Sequence, residues 1–184
     1  TSATTMAWML IRLAHHRHLW DRLCDEVSHG APAKVPTSHQ EAREFPFAEA
    51  LFRETLRYYS PVWFVLRETT ERVPFGDRDI PPGVLICISP SALSRDPELF
   101  AEPERFDTGR WLGRSKPPSP LEISQFGGGP HFCLGYSLAW LEGIQFLVAL
   151  ARVLGPQGRR PRLTGESLPK QVFFPLAHPP NPTR

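Results

Sequence analysis

The residues most able to do chemistry sit in one short segment, Phe126-Gly-Gly-Gly-Pro-His131-Phe-Cys133-Leu-Gly135. A run of glycines leads to a cysteine, and an apolar helical pattern begins directly behind it. Glycines permit backbone angles and close approaches that side chains forbid. A sulfur at a helix N-terminus lies at the positive end of the helix dipole, which favours thiolate over thiol. Phe126 and Phe132 are placed to keep water from that sulfur. A presented, ionised and dry sulfur is what a soft metal ion needs. The bland alternative is a small buried hydrophobe, the commonest fate of a lone cysteine. A second spacing stands earlier, Glu54-Thr-Leu-Arg57. Residues three apart share a helix face, so the two charges can meet; on a surface such a pair contributes only about 0.2–0.5 kcal/mol.

Several elements must position these groups. Periodicity predicts a helix over residues 3–29, with Met6, Leu10, Leu13, Leu19, Leu23 and Val27 at helical spacing. Residues 30–40 read as a loop. A helix is predicted from Phe47 to Tyr58, stopping before Pro61. Val62–Val73 and Val84–Ser89 read as strands, and Gln171–Leu176 as a last one. The stretch Asp96–Gln125 is dense in proline and glycine and should hold short helical turns at most. A helix over Leu134–Leu154 is apolar nearly all round and should be buried.

Composition narrows the function. The 184 residues suit one domain with a real core. A formal charge of +2 and the absence of a long basic stripe argue against nucleic-acid binding; Arg159, Arg160 and Arg162 read as a solvated loop. Three widely spaced cysteines support neither a disulfide framework nor a zinc-type pair, and point to a reducing compartment. No apolar run looks long enough to cross a bilayer, and no signal peptide opens the chain. The sequence starts at Thr1, already inside a helical pattern, and reads as a fragment.

Phe126, Gly129, Cys133 and Gly135 match, at every fixed position, the F-x-x-G-x-x-x-C-x-G haem-ligand loop of the cytochrome P-450 family. On these residues the chain resembles the C-terminal part of that family over residues 1 to about 176. The resemblance implies a mainly α fold with small β elements: a partial cytochrome P-450 domain over 1–184, from the end of the central oxygen-side helix to the C-terminal strands. It implies haem b as cofactor, with Cys133 as the axial iron ligand. His131 stands where the family often has Arg, and would face a haem propionate with a charge that depends on pH. Ala139-x-x-Glu142 resembles the helix that follows the ligand. Glu54 and Arg57 resemble the buried pair near the haem's proximal side, which takes a third partner from a downstream loop. The string Pro103-Glu-Arg105-Phe106 offers Arg105, but the longer pattern Phe100-x-x-Pro103-x-x-Phe106-x-x-x-Arg110-Trp111-Leu112 favours Arg110. Arg67 would be a propionate partner. Leu93-Ser94-Arg95-Asp96-Pro97 resembles the family's H-R-D-P with Ser94 in place of His, and Ser94 is left unassigned.

The family's long helix carries an acid and then a Thr beside bound oxygen. One register uses Thr4-Thr5; the other, anchored on Ala7-Trp8 and Leu13-Ala-His-His16, puts the hydroxyl at Thr1 and the acid before residue 1. The second is preferred, and makes Thr1 the catalytic candidate. The implied reaction is monooxygenation: one atom of dioxygen enters a hydrophobic molecule such as a terpene, fatty acid or polyketide, held near Pro61–Leu66 and Val172-Phe173-Phe174. Electrons would come from a ferredoxin or flavoprotein reductase, docking near Arg114, Lys116 and His131. The implied location is the cytoplasm, as a soluble bacterial-type protein, with an upstream membrane anchor left open. Two rival readings stand beside this one: a truncated, non-catalytic remnant, and a haem-thiolate isomerase or dehydratase.

Overall fold

The computed structural model describes residues 1–30, 33–165, 168–170, 172–173 and 177–178. Four helices make the core: α1 (Ser2–His15), α2 (Arg17–Asp25), α4 (Pro46–Tyr58) and α6 (Tyr136–Leu154). Two single-turn helices, α3 (His39–Ala42) and α5 (Pro90–Leu93), fill connections. Met9, Leu13, Trp20, Leu23, Leu51, Phe52, Ile144 and Leu147 interlock where the four long helices converge. The fold is mainly α with small β elements, as expected.

The predicted helix over 3–29 is two helices and a π-helical turn, Glu26–Gly30. The break falls at His16, where the backbone turns extended (φ −110°, ψ 94°). Neither Gly nor Pro marks it. Arg12, buried and lying 4.4 Å over the Phe106 ring, donates from Nη1 to His16 Nε2 at 3.0 Å. Burial, with Arg12, His15 and His18 alongside, pushes the His16 pKa down to about 4, so the ring is neutral and accepts that bond. The buried face also differs from expectation: Trp8, Met9 and Arg12 point inward, and Trp8 stacks on Tyr59 at 3.8 Å.

α4 begins at Pro46, whose missing N–H costs nothing at the first helical position. Its next two amides, Phe47 and Ala48, donate to the Glu26 carboxylate at 2.6 and 2.9 Å. The π-helical turn thus caps the helix that carries Glu54 and Arg57. Burial pushes the Glu26 carboxyl up despite those two bonds.

The predicted strand Val62–Val73 is really β1 (Val65–Glu68) followed by the start of β2 (Val73–Phe75). β2 pairs antiparallel with β3 (Arg78–Ile80) through a turn whose Gly76 has φ +61°. β1 pairs antiparallel with β4 (Leu85–Ile88), Val65 opposite Ile88 and Glu68 opposite Leu85. β5 (Val172–Phe173) pairs with β6 (Ala177–His178); the rest of the expected strand 171–176, and the side chains of 172–174, lie outside the described residues. Residues 96–125 hold only short turns, as their prolines require.

α6 corrects two expectations. With the turn after it, Tyr136–Gln157 is 22 residues and holds an 18-residue window of mean hydropathy 1.5, long and apolar enough to cross a membrane by length and composition. It is also not buried all round: Gly143, Ile144, Leu147, Val148 and Ala151 face the core, while Leu138 and Val153 stay about 60% exposed. Gly143 lets α6 close on α4, because a Cβ there would overlap the Phe52 ring. Gly143→Ala gains about 1 kcal/mol of helix propensity. Overpacking against a buried ring costs about 1–3 kcal/mol. The net is a loss of up to about 2 kcal/mol, so the variant is expected to unfold at lower urea than the wild type, and a higher midpoint would refute the contact.

Candidate functional site

The cysteine loop is built from two 3₁₀ turns, Ser124–Phe126 and Gly129–His131. Gly127 and Gly129 take φ of +76° and +60°, a region that side chains avoid. A Cβ on Gly127 would also come 3.2 Å from the His131 carbonyl. The Cys133 N–H donates to Phe126 O at 2.8 Å and closes the loop on itself. The Cys133 carbonyl accepts from Tyr136 N–H at 3.2 Å, which hands the chain to α6.

Cys133 opens on a cavity of about 210 Å3 between the loop and the helices. Met6, Met9, Phe52, Leu56, Pro61 and Val62 make its apolar lining. Thr1, Ser2 and Thr5, at the start of α1, line the same space, whereas Thr4 does not. Thr1 is the N-cap residue of α1, and its carbonyl accepts the Thr5 hydroxyl at 3.4 Å. Glu142 and Ala139 contribute from α6. A full small-molecule pocket holds about 300–1,000 Å3, so this chain encloses only part of one.

The sulfur is less shielded than the sequence implied. Cys133 is exposed, and Phe132 beside it is 37% exposed. Phe126 and Phe132 instead gather around Tyr136, at 4.8 and 5.3 Å between ring centroids. Leu134 is fully exposed and Leu138 largely so. One soft donor thus stands in a surface of uncovered apolar side chains, and an apolar patch of this kind marks a binding surface. The residues fit a flat, largely apolar prosthetic group that carries a metal taking sulfur.

The cations are more scattered. Arg67, on β1, is exposed and donates to its neighbour's carbonyl, Leu66 O, at 2.8 Å. His131 is exposed at the loop's rim. Neither lines the cavity.

Behind the loop, Glu54 and Arg57 are completely buried side chains in contact. All five N–H groups of Arg57 are used. Nε and Nη2 donate to the two Glu54 oxygens at 2.9 and 2.8 Å. Nη1 donates to Ser94 O and Pro103 O at 2.8 and 2.7 Å, and Nη2 also to Arg105 O at 3.0 Å. The Glu54 carboxylate accepts further bonds from Asp107 N–H (2.7 Å), Arg110 Nε (3.2 Å) and Trp111 Nε1 (2.8 Å). Arg110 is the arginine that reaches Glu54. The Arg105 side chain points outward to Glu102 and Asp107, and only its carbonyl joins the cluster.

Sequence reasoning missed Trp111, whose only signal was its place next to Arg110. It also missed the Glu122 brace: this carboxylate takes Arg114 in two bonds, 2.8 and 3.1 Å, and the Ser119 N–H at 2.7 Å. Burial raises the Glu122 carboxyl, but those partners outweigh it and hold it below the usual range.

Removing one member of a buried ion cluster leaves an uncompensated charge and costs about 3–5 kcal/mol. Glu54→Ala and Arg57→Ala should each lower folding stability by that amount in urea unfolding. Arg105→Ala should change it by less than about 1 kcal/mol, since its side-chain pairs are exposed. Equal losses at 57 and 105 would contradict the geometry.

A family model described as cytochrome P-450 matches residues 1–154. The protein named cytochrome P-450 BJ-4 from Bradyrhizobium diazoefficiens is 43% identical over 180 residues, covering 97% of this chain and 40% of that protein. Its homolog from Sinorhizobium fredii is 42% identical with the same coverage. Cyclooctat-9-en-7-ol 5-monooxygenase from Streptomyces melanosporofaciens is 34% identical over 152 residues, 82% of this chain and 33% of that protein. The chain therefore spans 40% or less of the length of these relatives. With the match to the family model and the identity across nearly all of its own length, the chain belongs to the cytochrome P-450 family.

Proposed function

We propose that this chain is the iron-ligating part of a haem-thiolate monooxygenase acting on a hydrophobic small molecule. The observation that carries the proposal is Cys133: an exposed cysteine that opens on an apolar cavity also lined by Thr1, Ser2 and Thr5. Among the described residues no group of three His, Cys, Asp or Glu side chains gathers to hold a metal. A metal at Cys133 would take its other ligands from a prosthetic group, and haem b suits a single thiolate. Bound there, the haem would supply the oxygen-activating chemistry. Cys133 would give the iron its sulfur ligand. Phe126, Gly129 and Gly135 would set the shape of the loop. Glu54, Arg57 and Arg110 would hold it from behind, with Arg67 and His131 as the propionate cations.

Thr1 is the residue for proton delivery, because it lines the cavity and a hydroxyl positioned there can pass a proton onward. The apolar lining supports a terpene, fatty acid or polyketide as substrate. Electrons would come from a ferredoxin or flavoprotein. Since Glu122 compensates Arg114 and His131 is given to a propionate, Lys116 is the cation of that surface left to steer an acidic donor.

The protein supplied with haem, reduced and exposed to carbon monoxide, should show the Soret band of thiolate-ligated haem. Cys133→Ser should lose that band, and Glu54→Ala and Arg57→Ala should retain no haem. A wild type that takes up no haem would overturn the proposal and leave the remnant reading. Turnover of a hydrophobic substrate with a ferredoxin system supports the monooxygenase; rearrangement without reductant supports the isomerase. Reduction by an acidic ferredoxin should slow as salt rises, and salt-insensitive kinetics would count against the docking surface.

A further inference from the structure

We propose that Ser94 and Gln125 are positioning residues for the cysteine loop: a buried hydrogen-bonded link that ties the loop to the Glu54–Arg57 pair. Both side chains are buried, Ser94 at 1% and Gln125 at 9% exposure. Gln125 Nε2 donates to Ser94 Oγ at 2.6 Å. The Ser94 hydroxyl donates its own hydrogen to Pro90 O at 2.8 Å, so its lone pairs are left for Gln125. The Ser94 carbonyl accepts from Arg57 Nη1 at 2.8 Å. One residue therefore answers two masters: its main chain belongs to the ion pair and its side chain to the loop.

The link continues to the main chain of Cys133. Gln125 lies in the 3₁₀ turn Ser124–Phe126, and the Phe126 carbonyl next to it takes the Cys133 N–H at 2.8 Å. The route from the ion pair to the Cys133 amide thus runs Arg57, Ser94, Gln125, Phe126, Cys133, with one hydrogen bond or one peptide unit at each step. Among the described residues, the loop's other support is the packing of Phe126 and Phe132 around Tyr136. The Phe126 ring is half-buried, Phe132 and Cys133 are exposed, and Gly128–Pro130 stand in the open. The turn just before the loop is where its orientation is settled, and Gln125 is the buried residue of that turn.

Gln125 could instead be plain core filling, in which case an apolar residue of like size would serve. The two roles separate in a double-mutant cycle read by amide hydrogen exchange, which needs no haem. Ser94→Ala orphans a buried amide, and Gln125→Leu removes the donor. A lost or orphaned buried bond corresponds to about a five- to hundredfold shift in local opening. Each single variant should speed exchange at the Phe126 and Cys133 amides by such a factor, with the core amides of α4 and α6 unchanged. In Ser94→Ala/Gln125→Leu both partners are gone, and global stability should recover toward wild type, because matched apolar replacement is nearly neutral. The Cys133 amide should nevertheless stay fast. The proposal is overturned if Gln125→Leu leaves that amide unchanged, if exchange rises equally throughout, or if the double variant restores the loop along with the stability.

The consequence for function rests on Cys133 being the iron ligand, and a separate spectrum reports it. Both single variants should show less of the thiolate-type carbon monoxide band per bound haem than the wild type. If the exchange pattern appears but Cys133→Ser keeps that band, the link stands and the ligand assignment falls.

Discussion

The arrangement depends on one buried ion pair. Taking two full charges out of water costs several kcal/mol per ion, and their attraction offsets this only when every remaining donor and acceptor is matched. Here the matching is complete on the arginine side and dense on the carboxylate side: five bonds from Arg57, and five received by Glu54. The partners come from Ser94 at the end of α5 and from the irregular stretch between Pro103 and Trp111. That stretch has no ladder or long helix to fix its path. The pair supplies the missing constraint, because any drift of Pro103, Arg105 or Asp107 would expose a buried charge to an unmatched environment.

Two kinds of force therefore divide the molecule. Apolar burial sets the long helices against one another, with Gly143 yielding room to Phe52 and Trp8 lying flat on Tyr59. Directional bonds set the loops. Glu26 anchors the start of α4, Glu54 and Arg57 anchor the segment beyond α5, and Glu122 braces Arg114 ahead of the cysteine loop. The candidate site lies where these regimes meet. Helices α1, α4 and α6 give the cavity its apolar walls, and the loop brings the sulfur to it. A donor that must sit at a defined point gains from this division, since hydrophobic contacts are non-directional and tolerate sliding, while a hydrogen bond weakens steeply off its axis.

Much of the helical frame was legible in the sequence because its signals are local. α4 has Pro46 at its start and Pro61 beyond its end; α6 follows a glycine-rich turn and is apolar at most of its positions. The break at His16 was not legible. It depends on Arg12 being held over Phe106, a residue 94 positions away in sequence. The β2–β3 hairpin was missed although Gly76 marks its turn, because the β-branched run from Val62 reads smoothly into Val73. The exposure of Cys133 was misjudged for another reason: two flanking phenylalanines look like a shield in one dimension, but their rings turn toward Tyr136.

The buried cluster shows why a site can be half visible. Glu54, Arg57, Arg110 and Trp111 act through side chains, so their types and spacing carry information. Ser94, Pro103 and Arg105 serve Arg57 through main-chain carbonyls, which every residue type possesses. No pattern of letters can mark them. This also accounts for the misleading prominence of Arg105, a charged residue in the right place whose side chain faces solvent while its carbonyl does the binding. It explains the freedom at Ser94 as well. When the ion pair asks only for a carbonyl, the side chain at that position is released from it and can be given to a second task, and here the hydroxyl is turned to Gln125 and the loop that carries Cys133.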